Sequence, residues 1–157
     1  MLFRSLLKQI SILSLIAGAA LGVVTIIPFI GGIAFLFLMM CIGAALIIYL
    51  KKMTLVGFLE LKDGALYGGI AGFVSFLGFA AVYFPLASII GLIFKNSQYS
   101  LVTFSVGSGF FVVLLLSIFV AILSAVINSF SALAATYIYA QLEPRPEENT
   151  TNFEIEE

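Results

Sequence analysis

Charged positions divide this chain into long apolar runs: residues 9 to 50, 64 to 94 and 101 to 142 contain no Asp, Glu, Lys or Arg. None of the three alternates polar and apolar residues with the period of two that a half-buried strand needs, and none is polar on one side as a surface helix is. They are apolar all round, the signature of helices whose surroundings are lipid. A hydrocarbon core of about 30 Å takes roughly 20 helical residues at 1.5 Å each. The first run, from Gln9 to Leu50, is therefore long enough for two passes and a turn, and Pro28-Phe29-Ile30-Gly31-Gly32 near its middle supplies turn chemistry.

On this reading span one covers about 9–27. Pro28 ends it, because proline lacks a backbone donor and disfavours helix in the residue before it. Gly31-Gly32 turns the chain, and span two covers about 33–50, stopped by Lys51-Lys52, whose ammonium groups can reach the headgroups while their stems stay apolar. The connection from Met53 to Asp63 is expected as a loop dipping into the headgroups, with a short interfacial helix as the alternative. Span three covers about 65–84, where Pro85 ends or kinks the helix. Leu86 to Phe94 is then a tilted extension or an interfacial segment, too short to cross again. Span four covers about 110–140, with Leu101 to Ser108 as its irregular entry. A five-span arrangement needs a reversal between Ala121 and Asn128, where no proline or glycine stands to make one.

The expected fold is thus all-α: four transmembrane helices in two hairpins, bundled through small residues, over residues 1–142. After Leu142 the chain changes to Glu143-Pro144-Arg145-Pro146, and six of the eight acidic residues fall in 143–157, a stretch expected to be a disordered acidic tail.

Composition sharpens the lipid assignment. The 157 residues are 62% hydrophobic and 10% charged, with a mean hydropathy of +1.23, which excludes an ordinary water-soluble domain at about 25% charged. Arg4 and Lys8 before an apolar stretch and Ala17-Gly18-Ala19 imitate a cleavable secretory signal. Hydrophobicity continues through Val23 to Ile27 instead of falling, so an uncleaved first helix is expected. With four spans, Arg4, Lys8, Lys51, Lys52, Lys62 and Arg145 lie on one side and Lys95 alone on the other. The excess of basic residues marks the cytoplasmic side, which puts both termini there. Tyr49, Tyr67, Tyr137 and Tyr139 near the cytoplasmic ends, with Tyr83 and Tyr99 near the outer ones, fit the same orientation. The expected location is the cell inner membrane, as a multi-pass protein. Asn149-Thr150-Thr151 matches a glycosylation acceptor, but the orientation places it on the wrong side.

Two sets of residues could carry function. Small residues at four-residue spacing let helices approach closely in lipid: Ser14, Gly18 and Gly22 in span one, Gly64, Gly68 and Gly72 in span three, and Ser117, Ala121, Ala125 and Ser129 in span four. They read as packing within the bundle, or as a homo-oligomer interface through one stripe. The second set is Asn128 with Ser124 and Ser131 nearby. An amide in hydrocarbon needs a partner, so Asn128 must face another helix or line a small polar cavity.

Reactive chemistry is poorly supplied. The chain has no histidine, one cysteine and no acid or base deep in a span, so no catalytic, cofactor-binding or metal-ligating set is expected. Cys41 reads as a small hydrophobe. No basic patch points to nucleic acid. No motif names a family. The expectation is a non-enzymatic membrane protein acting as a structural or accessory subunit, with the lipid bilayer and a second copy or another membrane protein as partners and the acidic tail as a cytosolic contact. A passive pore or small-solute transporter with a polar path near Asn128 is the alternative.

Overall fold

A computed structural model describes residues 2–27, 29–57, 59–94 and 110–142. The described chain is helical with no strand: α1 is Leu2–Val24, α2 Ile30–Met40, α3 Ile42–Lys52, α4 Leu61–Phe94 and α5 Phe110–Leu142. Residues 95–109 and the expected tail at 143–157 lie outside the described residues.

Three helices are long and apolar enough to cross a membrane (within α1, α4 and α5), and four spans result if the bent pair α2–α3 is counted as one. Span two, expected as a single rod over 33–50, is thus two half-helices meeting at Cys41 at 65°. The expected first turn also moves. Gly31 and Gly32 belong to the first turn of α2, α1 already ends at Val24, and turn residues stand at Thr25, Ile26 and Phe29; Pro28, expected to end span one, lies outside the described residues. Phe29 has φ 69°, left-handed for a residue other than glycine, and Gly31 is needed because a Cβ there would overlap the Thr25 carbonyl.

The α3 end is closed by backbone bonds of the Schellman type, from Leu55 N–H to Leu50 O at 3.1 Å and from Thr54 N–H to Lys51 O at 3.0 Å. Lys51 Nζ donates to Gly57 O at 2.7 Å and ties down the loop, whose described residues 53–57, 59 and 60 are non-helical. α4 runs unbroken past Pro85 to Phe94, so Leu86 to Phe94 extends the helix. Lipid favours this, because a backbone freed of its hydrogen bonds has no water to turn to. α5 is likewise continuous through 121–128.

Close approaches set the directions. Gly18 meets Ser75 and Gly22 meets Phe79, so α1 and α4 run parallel. Gly64 meets Thr136, Gly68 meets Ala132 and Gly72 meets Ser124, so α4 and α5 run antiparallel. α4 is the centre of the bundle, with α1 along one side and α5 along the other, while the bent pair leans chiefly on α5 and α4. The second expected hairpin is present as α4–α5, whereas the first is loose: α1 packs on α4 far more than on α2, its neighbour in the chain. The pair α2–α3 runs the length of α1, since Gly31 lies beside Thr25 while Leu46 and Leu50 share a cleft with Ile10 and Leu13.

The buried centre joins Ile10, Leu38, Ile47, Leu50, Tyr67, Phe76 and Phe79. Toward the α1–α2 turn it continues into aromatic rings, with Phe79 stacked on Tyr83 at 5.0 Å and tilted against Phe35 at 5.8 Å.

Candidate functional site

The most polar point inside the bundle is the break in α2–α3, and Asn128 of α5 fills it. A straight helix through Cys41 would bond Ile42 N–H to Leu38 O, Gly43 N–H to Met39 O and Ala44 N–H to Met40 O. Asn128 inserts its carboxamide into that ladder. Oδ1 accepts from Gly43 N–H at 2.7 Å, and Nδ2 donates to Met39 O at 3.0 Å and Leu38 O at 3.1 Å. Ser131 Oγ, one turn along α5, accepts from Ala44 N–H at 3.1 Å. On either side the ladder is intact, with Cys41 N–H on Phe37 O and Ala45 N–H on Cys41 O, both at 2.9 Å. Side-chain insertion is one of the few causes of a sharp helix bend, and no proline stands between Gly31 and Thr54 to supply another.

Asn128 is 0% exposed. Its Nδ2 also lies 3.0 Å from Ser124 O and 3.3 Å from Ser124 Oγ, so the two amide hydrogens share several acceptors. Ser124 Oγ, equally buried, donates to Gly72 O at 3.1 Å, an oxygen that also accepts from Ser75 Oγ at 3.1 Å. Gly43 permits the approach, because a Cβ there would overlap the Asn128 backbone carbonyl. Cys41 is the middle residue of 30–52, and Asn128 is close to the middle of α5, so this polar layer lies at mid-length of both.

The small-residue stripes separate into two kinds of surface. Gly18, Gly22, Gly64, Gly68 and Gly72 all face other helices of the same chain; a Cβ on Gly72 would stand 2.6 Å from Ser124 O. Ser14 is buried, and its Oγ has no hydrogen-bond partner among the described residues. Ala121 is fully buried. Ala125 and Ser129 are half-buried and, with Ala65 and Gly69, form the floor of an apolar groove of about 610 Å³ between α4 and α5, walled by Phe73 and Ile122. Ser129 Oγ donates to Ala65 O at 2.7 Å. Ser117 turns back on its own helix, donating to Val113 O at 2.7 Å beside Leu77 and Pro85.

Sequence reasoning passed over Gly43, Gly78 and Thr136, and gave Gly31 a turn where it makes a close contact with Thr25. A Cβ on Gly78 would stand 2.5 Å from Leu15 O, and Thr136 is 1% exposed against Gly64. Gly78 follows Ser75 and Gly72 at short spacings on α4, a pattern that could have extended the stripe; Gly43 has no such signal. Among the described residues no three His, Cys, Asp or Glu side chains converge.

Comparison of the chain with protein-family models, with curated proteins and with solved structures finds no match to any of them.

Proposed function

We propose that this is a non-enzymatic, four-span protein of the cell inner membrane that works as a structural or accessory subunit, binding other membrane-embedded helices through its packed faces. The observation that carries this reading is the state of the polar layer. Asn128, Ser124 and Ser131 bond to the chain itself, so the bundle interior is built for cohesion. Between their polar ends the long helices turn large apolar side chains outward, and the α4–α5 groove adds a small-residue floor, the geometry by which helices associate in lipid. Both termini face the cytoplasm in this proposal, on the strength of the basic residues around Lys8, Lys51, Lys52 and Lys62, and the acidic stretch 143–157 offers a cytosolic contact. Crosslinking in native membranes, followed by purification in mild detergent, is expected to yield a defined self-assembly or a co-purifying membrane protein. A chain that remains monomeric and brings nothing with it would defeat the proposal.

A second reading has one specific observation in its favour. Discontinuous helices that meet at mid-membrane are the means by which many transporters build solute sites, and α2–α3 is discontinuous at mid-length. A small-solute pathway past Asn128 would give flux in reconstituted vesicles that Asn128→Leu changes. Absence of any flux, or flux indifferent to that substitution, rejects it.

A further inference from the structure

We propose that α2–α3 is a two-state span whose length follows bilayer thickness, bent when Asn128 sits in its hydrogen-bond ladder and straight when the ladder closes. The inference rests on the membrane-spanning reading of the pair.

The bend belongs to α5 more than to α2–α3. The bonds lost at the break are those of Ile42, Gly43 and Ala44, and the groups from α5 that replace two of those donors and two of the acceptors are Asn128 and Ser131. Withdrawal of the amide would let the same backbone groups pair with one another, and in the bent state α5 meets four of the six groups, leaving only Ile42 N–H and Met40 O to gain partners when the ladder closes. Asn128 is also provided for once withdrawn, because Ser124 O and Ser124 Oγ already lie within reach of Nδ2 on its own helix. The local sequence permits the straight form: from Ile33 to Leu50 no proline occurs and Gly43 is the only glycine.

The two states differ in reach. At 1.5 Å per residue, Ile30 and Lys52 stand about 33 Å apart in a straight helix and about 28 Å apart when two equal halves meet at 65°. A typical hydrocarbon core of about 30 Å lies between the two. Thin bilayers therefore favour the bent span and thick ones the straight span, since mismatch carries a cost for every ångström. The bent form also suits α1, whose apolar window Leu6–Val24 reaches only about 28 Å.

The test is pulsed dipolar spectroscopy between spin labels on Ile30→Cys and Lys52→Cys in a Cys41→Ala background, both sites being exposed. The full-length protein is reconstituted in thin vesicles of dimyristoleoyl phosphatidylcholine and in thick vesicles of dierucoyl phosphatidylcholine. The expected result is a distance about 5 Å longer in the thick vesicles. Asn128→Ala is expected to hold the long distance in both. A single distance in both lipids without the Asn128 substitution overturns the proposal, as does a folded Asn128→Ala protein that keeps the short one. If Asn128→Ala does not fold, the comparison of the two lipids with Asn128 intact decides alone. Protein that fails to float with the vesicles after alkaline washing overturns the membrane reading and this proposal with it, whereas floating protein with an invariant distance removes only the proposal.

Discussion

Between α1 and α4 two helices meet through missing side chains; between α5 and the α2–α3 break they meet through an added polar one. Gly18 and Gly22 bring α1 onto the α4 backbone at Ser75 and Phe79, and Gly78 answers at Leu15. Nothing there can give, since the opposing atoms are carbonyl oxygens of an intact helix. At the break, Asn128 takes up hydrogen bonds that α2–α3 could otherwise make for itself. Shape holds the first contact and exchangeable bonding the second, so the first should be brittle and the second forgiving.

Substitution should expose that difference, most strongly at Gly18. Gly18→Val would drive a side chain into the Ser75 carbonyl and is expected to cost about 3 kcal/mol, read as the shift of the unfolding midpoint in a detergent titration. A cost under about 1 kcal/mol would mean that α1 can slide away freely and that the contact is soft after all. Next come two glycines one turn apart on α4. Gly72→Ala, with its Cβ 2.6 Å from Ser124 O, should cost about 2 kcal/mol. Gly69→Ala, with its nearest neighbour at 3.7 Å in the open groove, should stay within about 0.5 kcal/mol. Equal effects at the two would deny that the buried and outward faces of α4 differ.

Asn128→Ala follows, at about 1 kcal/mol, the scale of interhelical hydrogen bonds measured in lipid, because α2–α3 can reclose its own ladder. A loss as large as that of Gly18→Val would show that the half-helices cannot rejoin, and would make the two contacts alike. One further effect has the opposite sign. Gly32→Ala, in a helical turn with nothing within 4 Å, should stabilise by up to about 1 kcal/mol through helix propensity alone.

The helical class and the three apolar stretches were legible because lipid imposes length and charge exclusion on any sequence, as the runs bounded by Lys8, Lys51 and Lys95 show. Pairing was not. Helices that are apolar all round carry no polar face to point outward, so nothing in the pattern says that α1 lies on α4 instead of on α2. The break at Cys41 was invisible for a different reason. Local rules look for proline or glycine at the bend, and here the agent stands 85 residues along the chain from Gly43. Asn128 did announce itself, since an amide in hydrocarbon must find a partner, but its partner was backbone, which sequence does not mark. Pro85 left two outcomes open, an end or a helical extension beyond it, and the extension is what α4 shows.

Chance has put a chemical gauge at the place most worth watching. Cys41, the sole thiol of the chain, is the hinge residue itself and is half-buried. Its rate of alkylation by a small membrane-permeant maleimide therefore reports on the joint in the unmodified protein, in native membranes, with no engineered tag.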